Sequence, residues 1–200
     1  MRTHSFAALL LVALTVPALA QSRVFVSGDV FADHKRLSGD STESTLNVTR
    51  AGGGGGVGVS VSDRWDVRGE VEAGSPTTIT QQLLPGVTAF QSRTRNRITA
   101  YSALVGFSPI SASPVGFTVL GGISFLHVTT DVDSVPAGIL VTPHTNIDNV
   151  ASPTVGAEVP IRLGPHVAIV PALRVHAFEL RTEGKSGFAI RPGVAVRWIN

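Results

Sequence analysis

The strongest constraint on this chain is a period of two. Eight stretches alternate apolar with polar residues, approximately over 23–33, 50–62, 65–74, 96–108, 115–129, 152–162, 166–180 and 187–199. No stretch repeats with the period of a helix, and Gly, Pro, Ser and Asp gather at the breaks. In the first, Val24, Val26, Gly28, Val30 and Ala32 share one face; Arg23, Ser27, Asp29 and Asp33 share the other with Phe25 and Phe31. In the third, Trp65, Val67, Gly69, Val71 and Ala73 alternate with Asp66, Arg68, Glu70 and Glu72. In the eighth, Ile190, Pro192, Val194, Val196 and Trp198 alternate with Arg191, Gly193, Ala195 and Arg197. The sixth sets Val155, Ala157, Val159 and Ile161 against Thr154, Gly156 and Glu158, and the seventh sets Val167, Ile169, Leu173 and Val175 against Arg174 and His176. The fourth and fifth are apolar on both faces and assign neither.

The connections alternate in length. Residues 62–64, 109–114 and 163–165 make short turns, whereas 34–49, 75–95 and 130–151 are long and 181–186 is intermediate. Short turns at one end and long loops at the other predict an all-β, eight-stranded, antiparallel up-and-down transmembrane β-barrel, with both termini on the short-turn, periplasmic side. Pro153, Pro160, Pro171 and Pro192 each remove a ladder donor, so local bulges or breaks are expected there.

The first 20 residues stand apart. Arg2 begins a short basic start, an apolar run follows from Phe6 to Thr15, and Ala18-Leu19-Ala20 has the form of a cleavage site. Residues 1–20 therefore read as a secretory signal peptide, and 21–200 as one barrel domain. The chain has 0 Cys, so an exported domain of this size must take its stability from elsewhere.

Alternation alone leaves inside and outside undecided, because a soluble lipocalin-like carrier has the same period with the faces exchanged. Composition favours the membrane form. Of 16 basic residues only Lys35 and Lys185 are Lys, and Arg suits carboxylates met in a confined, bidentate geometry. The charged face mixes Arg with Asp and Glu, which neutralise one another in a narrow lumen. A lipid-facing Arg near the midplane costs about 2–4 kcal/mol. Asp29, Arg68, Glu70, Glu72, Glu158, Arg174 and Arg191 are therefore expected to point inward, with Arg68 and either Arg174 or Arg191 pairing with Glu70, Glu72 or Glu158. Trp65 and Trp198 fall at the periplasmic strand ends, where an interfacial girdle belongs; no extracellular girdle is evident.

With these features the chain resembles the OmpA/OmpX-type family of small outer-membrane barrels. The resemblance covers nearly all of residues 21–200. It rests on the leader, the eight alternating strands, the turn–loop asymmetry and the amphipathic last strand from Gly187 to Trp198. The resemblance implies insertion into outer-membrane lipid by the barrel assembly machinery, which reads a final strand ending in an aromatic residue. Here Ile199 and Asn200 follow Trp198. A monomer is expected.

Residue chemistry narrows the function. The run Gly52 to Gly56 lacks a following Gly-Lys-Ser/Thr and enters a strand, so it reads as strand curvature and as lumen space for long neighbours, with Tyr101 as one occupant. His34, His127 and His144 lie near Asp33, Asp131 and Asp133 at the loop side without metal-ligand spacing on any one element, so no metal and no cofactor is expected. The one adjacent His-Ser pair, His4-Ser5, lies in the leader, and an enzyme is not expected. No basic cluster suits nucleic acid. Leu83, Leu84, Val87 and Phe90 in one long connection, and Ile139 and Leu140 in another, flank Pro/Gly tips and form a candidate contact surface for a partner or an apolar ligand. The leading reading is a structural or surface-interaction protein whose lumen is closed by Arg/Glu pairs. The alternatives are a narrow porin-like channel for small solutes or ions and the soluble periplasmic carrier.

Overall fold

A computed structural model describes residues 23–38, 46–84, 87–110, 114–135, 142–180 and 185–200. Residues 1–20, expected from the sequence to be a signal peptide, lie outside them. The elements are β1 (Arg23–Ser38), β2 (Leu46–Ser60), β3 (Trp65–Gly74), β4 (Thr77–Leu84), β5 (Val87–Ile110), β6 (Phe117–Val135), β7 (His144–Glu158), β8 (Ile161–Arg162), β9 (Val167–Leu180) and β10 (Lys185–Ile199). Every pairing is antiparallel, the order around the ring is β1-β2-β3-β5-β6-β7-β9-β10, and β10 closes it by pairing with both β9 and β1. Since β4 prolongs the stave of β3 and β8 that of β7, the barrel has eight staves.

The register fixes the shape. From His34 the hydrogen-bonded partners run through Ile190, Val175, Val155, Gly121, Val105, Val67 and Val59 to Val24, ten residues away on the starting strand. Eight strands staggered by ten tilt at about 40° and enclose an interior just wide enough for side chains to fill.

The outer face is apolar. Val26, Val30, Val67, Val105, Ile123, Val155, Val194 and Val196 all project outward, with Val30 68% exposed. An apolar band this extensive exceeds what soluble monomers present to water. Ten residues of strand separate Trp198 from Phe188, about 33 Å, or about 25 Å of height at this tilt, which matches the lipid-facing band of a transmembrane barrel. The interior is charged, the inverse of a soluble carrier barrel.

Strands β5 and β6, unassigned by sequence, now declare their faces. Ala100, Ser102, Leu104, Leu120, Ser124 and Leu126 are buried inward, and Tyr101, Val105, Ile123 and Phe125 face out. Tyr101 is therefore not a lumen occupant. With its neighbour Phe125 and with Phe188 it supplies the loop-side aromatic girdle. At the short-turn end Trp65 packs on Phe107 at 4.7 Å between ring centroids, and Trp198 stacks on His166 at 5.6 Å.

The space above the glycines of β2 is filled mainly by two phenylalanines of β1. A Cβ on Gly58 would overlap the Phe25 ring, and one on Gly52 the Phe31 ring. Asp29 Oδ1 and Glu70 Cγ occupy the same space over Gly54 and Gly56, each 2.8 Å from where a Cβ would stand. Gly58→Ala is expected to destabilise the barrel by about 1–3 kcal/mol, the usual cost of overpacking. The added substitution Phe25→Leu should recover part of it, as read by urea unfolding in lipid vesicles. A Gly58→Ala barrel as stable as wild type would mean that the ring does not lie on the glycine.

The expected proline breaks appear on one side of each strand. The β9–β10 register runs unbroken through Pro171 and Pro192, but the β1–β10 register is interrupted between Phe31↔Gly193 and His34↔Ile190, where Pro192 lies, and pairing along β9 is interrupted between Glu158↔Ala172 and Ile161↔Ile169, where Pro160 separates β7 from β8 and faces the Pro171 segment. Pro153 acts differently. Pairing of β7 with β9 starts at Thr154, and beyond it Ser152 Oγ donates to the Ala177 carbonyl at 2.6 Å. Above that point β7 pairs with β6 alone among the described residues. On the other side β4, among the described residues, pairs with β5 alone. The loop-side ends of β4, β5, β6 and β7 thus leave the barrel as an open four-stranded sheet.

Candidate functional site

Between the two aromatic girdles alternation sends the charged residues of the strands to the lumen, where two ion clusters form. The first is nearer the short-turn end and centres on Glu158, 2% exposed. Its Oε1 accepts from Arg68 Nη1 at 2.8 Å and Arg174 Nη2 at 2.6 Å, and its Oε2 from Arg197 Nη2 at 2.7 Å. Arg68 also grips Asp66 in a two-point fork, Nε at 2.7 Å and Nη2 at 2.9 Å, while Arg174 reaches Glu70 at 3.2 Å. Three guanidiniums face three carboxylates, so the cluster is neutral. Phe25 lies beneath it, with the Arg68 and Arg197 guanidiniums 5.2 and 4.6 Å from the ring centre.

The second cluster is nearer the loops. Arg191 donates from Nε to Asp33 at 3.1 Å and from Nη1 to Glu72 at 2.6 Å, and Lys35 Nζ lies 2.9 Å from the other Asp33 oxygen. Two cations again match two carboxylates. From Glu72 a buried polar series runs sideways to His176 Nε2 at 3.5 Å, then Thr154 at 3.0 Å from Nδ1, Ser124 at 2.6 Å and Ser102 at 2.7 Å. A hydroxyl, an imidazole and a carboxylate in sequence resemble a hydrolytic triad. Thr154 and His176 are each 1% exposed, which leaves a substrate no approach. Ile98, Leu126, Val128 and Phe178 pack over the loop-side end of the lumen as an apolar lid.

The residues expected in the lumen all lie on inward-facing positions, and six of the seven enter ion pairs. Asp29 does not: among the described residues its Oδ1 has no hydrogen-bond partner. Asp33, Lys35, Asp66, Arg197 and His176 belong to the clusters yet were not singled out. The signal was available, since Asp66 and Arg68, Arg174 and His176, and Arg191 and Arg197 each share a face by even spacing.

The loop-side histidines do not converge. His34 bonds Thr49, His127 bonds Asn149, His144 bonds the Thr142 carbonyl, and Asp33 is turned into the lumen. Among the described residues no group has the makings of a metal site. Leu83, Leu84, Val87 and Phe90 fall on the β4–β5 hairpin, but their side chains, like all of Ile139 and Leu140, lie outside what is described.

The geometry finds close company among solved structures. Neisserial surface protein A matches with a TM-score of 0.61 at 14% identity, over 88% of this chain and 96% of that one. The fold is that of the small outer-membrane β-barrels. A major outer membrane protein of Thermus thermophilus matches equally well, with a TM-score of 0.61 and 14% identity over 90% of this chain and 100% of that one. Ail, the attachment invasion locus protein of Yersinia pestis, solved with the heparin analogue sucrose octasulfate, gives a TM-score of 0.54 at 13% identity, over 87% and 98% of the two chains. No protein-family model matches the chain, and no curated protein does.

Proposed function

We propose that this chain is a bacterial outer-membrane protein with a structural and surface-interaction role, its lumen closed and its working surface outside the cell. The observation that carries this reading is Glu158, held by Arg68, Arg174 and Arg197 from three different staves. Such a crosslink fills the narrow part of the lumen, and the apolar lid above it shuts out water. A conduction path would have to break several charge-assisted hydrogen bonds at once. The chain's spare surface is the open sheet of β4 to β7, raised beyond the girdle of Tyr101 and Phe125. The side of β4 away from β5, which has no partner strand among the described residues, offers main-chain groups to an extended partner strand. Similarity in fold to Neisserial surface protein A and to Ail supports placing this sheet outward and the short turns in the periplasm.

Two measurements test the reading together. Purified protein in a planar bilayer should give no steady conductance. Deleting residues 80–90 at the tip of the β4–β5 hairpin should lower cell-surface adhesion several-fold while export and folding persist. A stable open channel, or adhesion unchanged by the deletion, would count against it.

A further inference from the structure

Above the girdle the outer face of the open sheet carries its charges in two adjacent columns. On β5, Arg97, Arg95 and Arg93 continue the face of Tyr101; on β6, Asp131 and Asp133 are the cross-strand partners of Arg95 and Arg93. The flanking columns are uncharged, with Thr78 and Thr80 on β4 and Thr145 and Ile147 on β7. Strand rise and tilt put Arg95 about 15 Å above Tyr101, past a headgroup layer about 5–8 Å deep. At that height the face meets water or protein, not the bilayer.

The two edges of the face have matching relief. Ala73 pairs with Thr99 but Thr77 pairs with Asn96, so one extra residue is inserted at Ser75-Pro76. This bulge exchanges the faces of β4: Thr77 turns inward and is buried, and Thr78 and Thr80 turn outward. Pro76, Thr78, Thr80, Arg93 and Arg95 then line a concavity of about 510 Å³. At the opposite edge Ile147 protrudes, 58% exposed on an otherwise polar surface. Rows of paired residues descend from β7 toward β4, by the same stagger that carries His34 to Val24. Ile147 lies one step below the row of Thr145, Asp131, Arg95 and Thr78, which makes it level with the concavity across the sheet.

We propose that this face binds a second copy of the chain in the same membrane, about a two-fold axis along the membrane normal that passes between Arg95 and Asp131. Such an axis exchanges left and right and preserves height. It sets Arg95 against Asp131 of the second copy, and reciprocally, and seats the Ile147 of each copy in the concavity of the other. Strands that each tilt by about 40° then cross at about 80°, the orthogonal way of packing sheets, so the contacts gather round the axis. Thr145 orients the carboxylate by donating to Asp131 Oδ1 at 2.8 Å. Side by side on one wet sheet, an arginine and an aspartate contribute little; a second face laid over them excludes water and strengthens the attraction. A foreign partner would need the same two columns, whereas a second copy has them by construction. The dimer rests on the outer-membrane reading above, because a shared bilayer is what holds two copies upright, and it departs from the monomer expected from the sequence.

The test measures energy transfer between donor-labelled and acceptor-labelled copies of the full mature barrel in phosphocholine vesicles. The chain has 0 Cys, so Gly164→Cys, in a short turn where an added side chain meets open space, carries the label far from the face. Wild type should show transfer that unlabelled wild type competes away. Arg95→Asp alone and Asp131→Arg alone should each self-associate at least about tenfold more weakly, because like charges then meet at the axis. Mixed together, these two variants should recover the transfer of wild type, since each supplies the charge the other lacks, and the recovery shows that both are folded. Ile147→Ala should weaken association about threefold, while Arg97→Gln, below the contact, should not weaken it. Wild type without transfer would overturn the dimer, and single variants that do not recover on mixing would overturn this face as its contact. Both results leave the outer-membrane reading intact, whereas a chain that does not insert into vesicles would remove both.

Discussion

Glu158→Gln should cost this barrel about 3–5 kcal/mol, the range found when one partner of a buried ion pair is removed. The substitution keeps the shape and deletes one charge. Arg68 retains Asp66 and Arg174 retains Glu70, but Arg197 loses its carboxylate, and the cluster changes from neutral to a net positive charge. Adding Arg197→Gln restores the balance. The double variant should therefore be more stable than the sum of the single effects predicts, by at least ~1 kcal/mol, a coupling of the size expected for residues in one network. Reversible urea unfolding in phosphocholine vesicles measures both. Additivity within ~0.5 kcal/mol would show that Glu158 and Arg197 do not share the contact described.

Val30→Arg makes the complementary test on the other side of the wall. Val30 stands near mid-height of the apolar band, between Val194 and Gly53 on the adjacent strands. In a bilayer an arginine there should cost about 2–4 kcal/mol, whereas Val61→Arg, at the short-turn rim, should cost about 0–1 kcal/mol. Were the same face bathed in water, both substitutions would fall within about ±0.5 kcal/mol. A flat response with depth in vesicles would contradict a lipid-facing surface.

How much of this was legible in the sequence depended on contrast between the two faces of a strand. In β3, carboxylates and Arg68 alternate with Val and Trp, and the observed bounds, Trp65–Gly74, coincide with those read from the pattern. In β5 and β6 that contrast is missing, because Leu104, Leu120 and Leu126 fill the lumen while Val105, Ile123 and Phe125 face outward. Both surroundings accept an apolar side chain, so hydropathy could not separate them, and Tyr101 was misplaced with its strand. Phe25 and Phe31 were seen on the charged face, but their role there needs the register, which sets each ring against a glycine of β2. The ion clusters were partly legible because a low-dielectric wall leaves a charge nowhere else to go. Their partner assignments were not, since contacts such as Arg68 to Glu158 depend on the stagger between distant staves. β4 was hidden for a further reason: a bulge changes which residues share a face without changing composition.

The seam between β1 and β10 has a bearing on biogenesis. It joins the segment beginning at Arg23 to the one ending at Ile199, the largest separation in the chain of any paired strands, and it extends from Phe25↔Ile199 to Ser38↔Ser186. Contacts so distant in sequence form late, after the cost of bringing the chain ends together has been met. Until then two full-length edges stand open, each able to template pairing with another molecule. A polypeptide cut short before Gly187 would never escape that condition. The circular topology thus makes completeness of the chain a prerequisite for a sealed wall, and gives any chaperone or assembly factor a simple criterion for unfinished product: a free β1 edge.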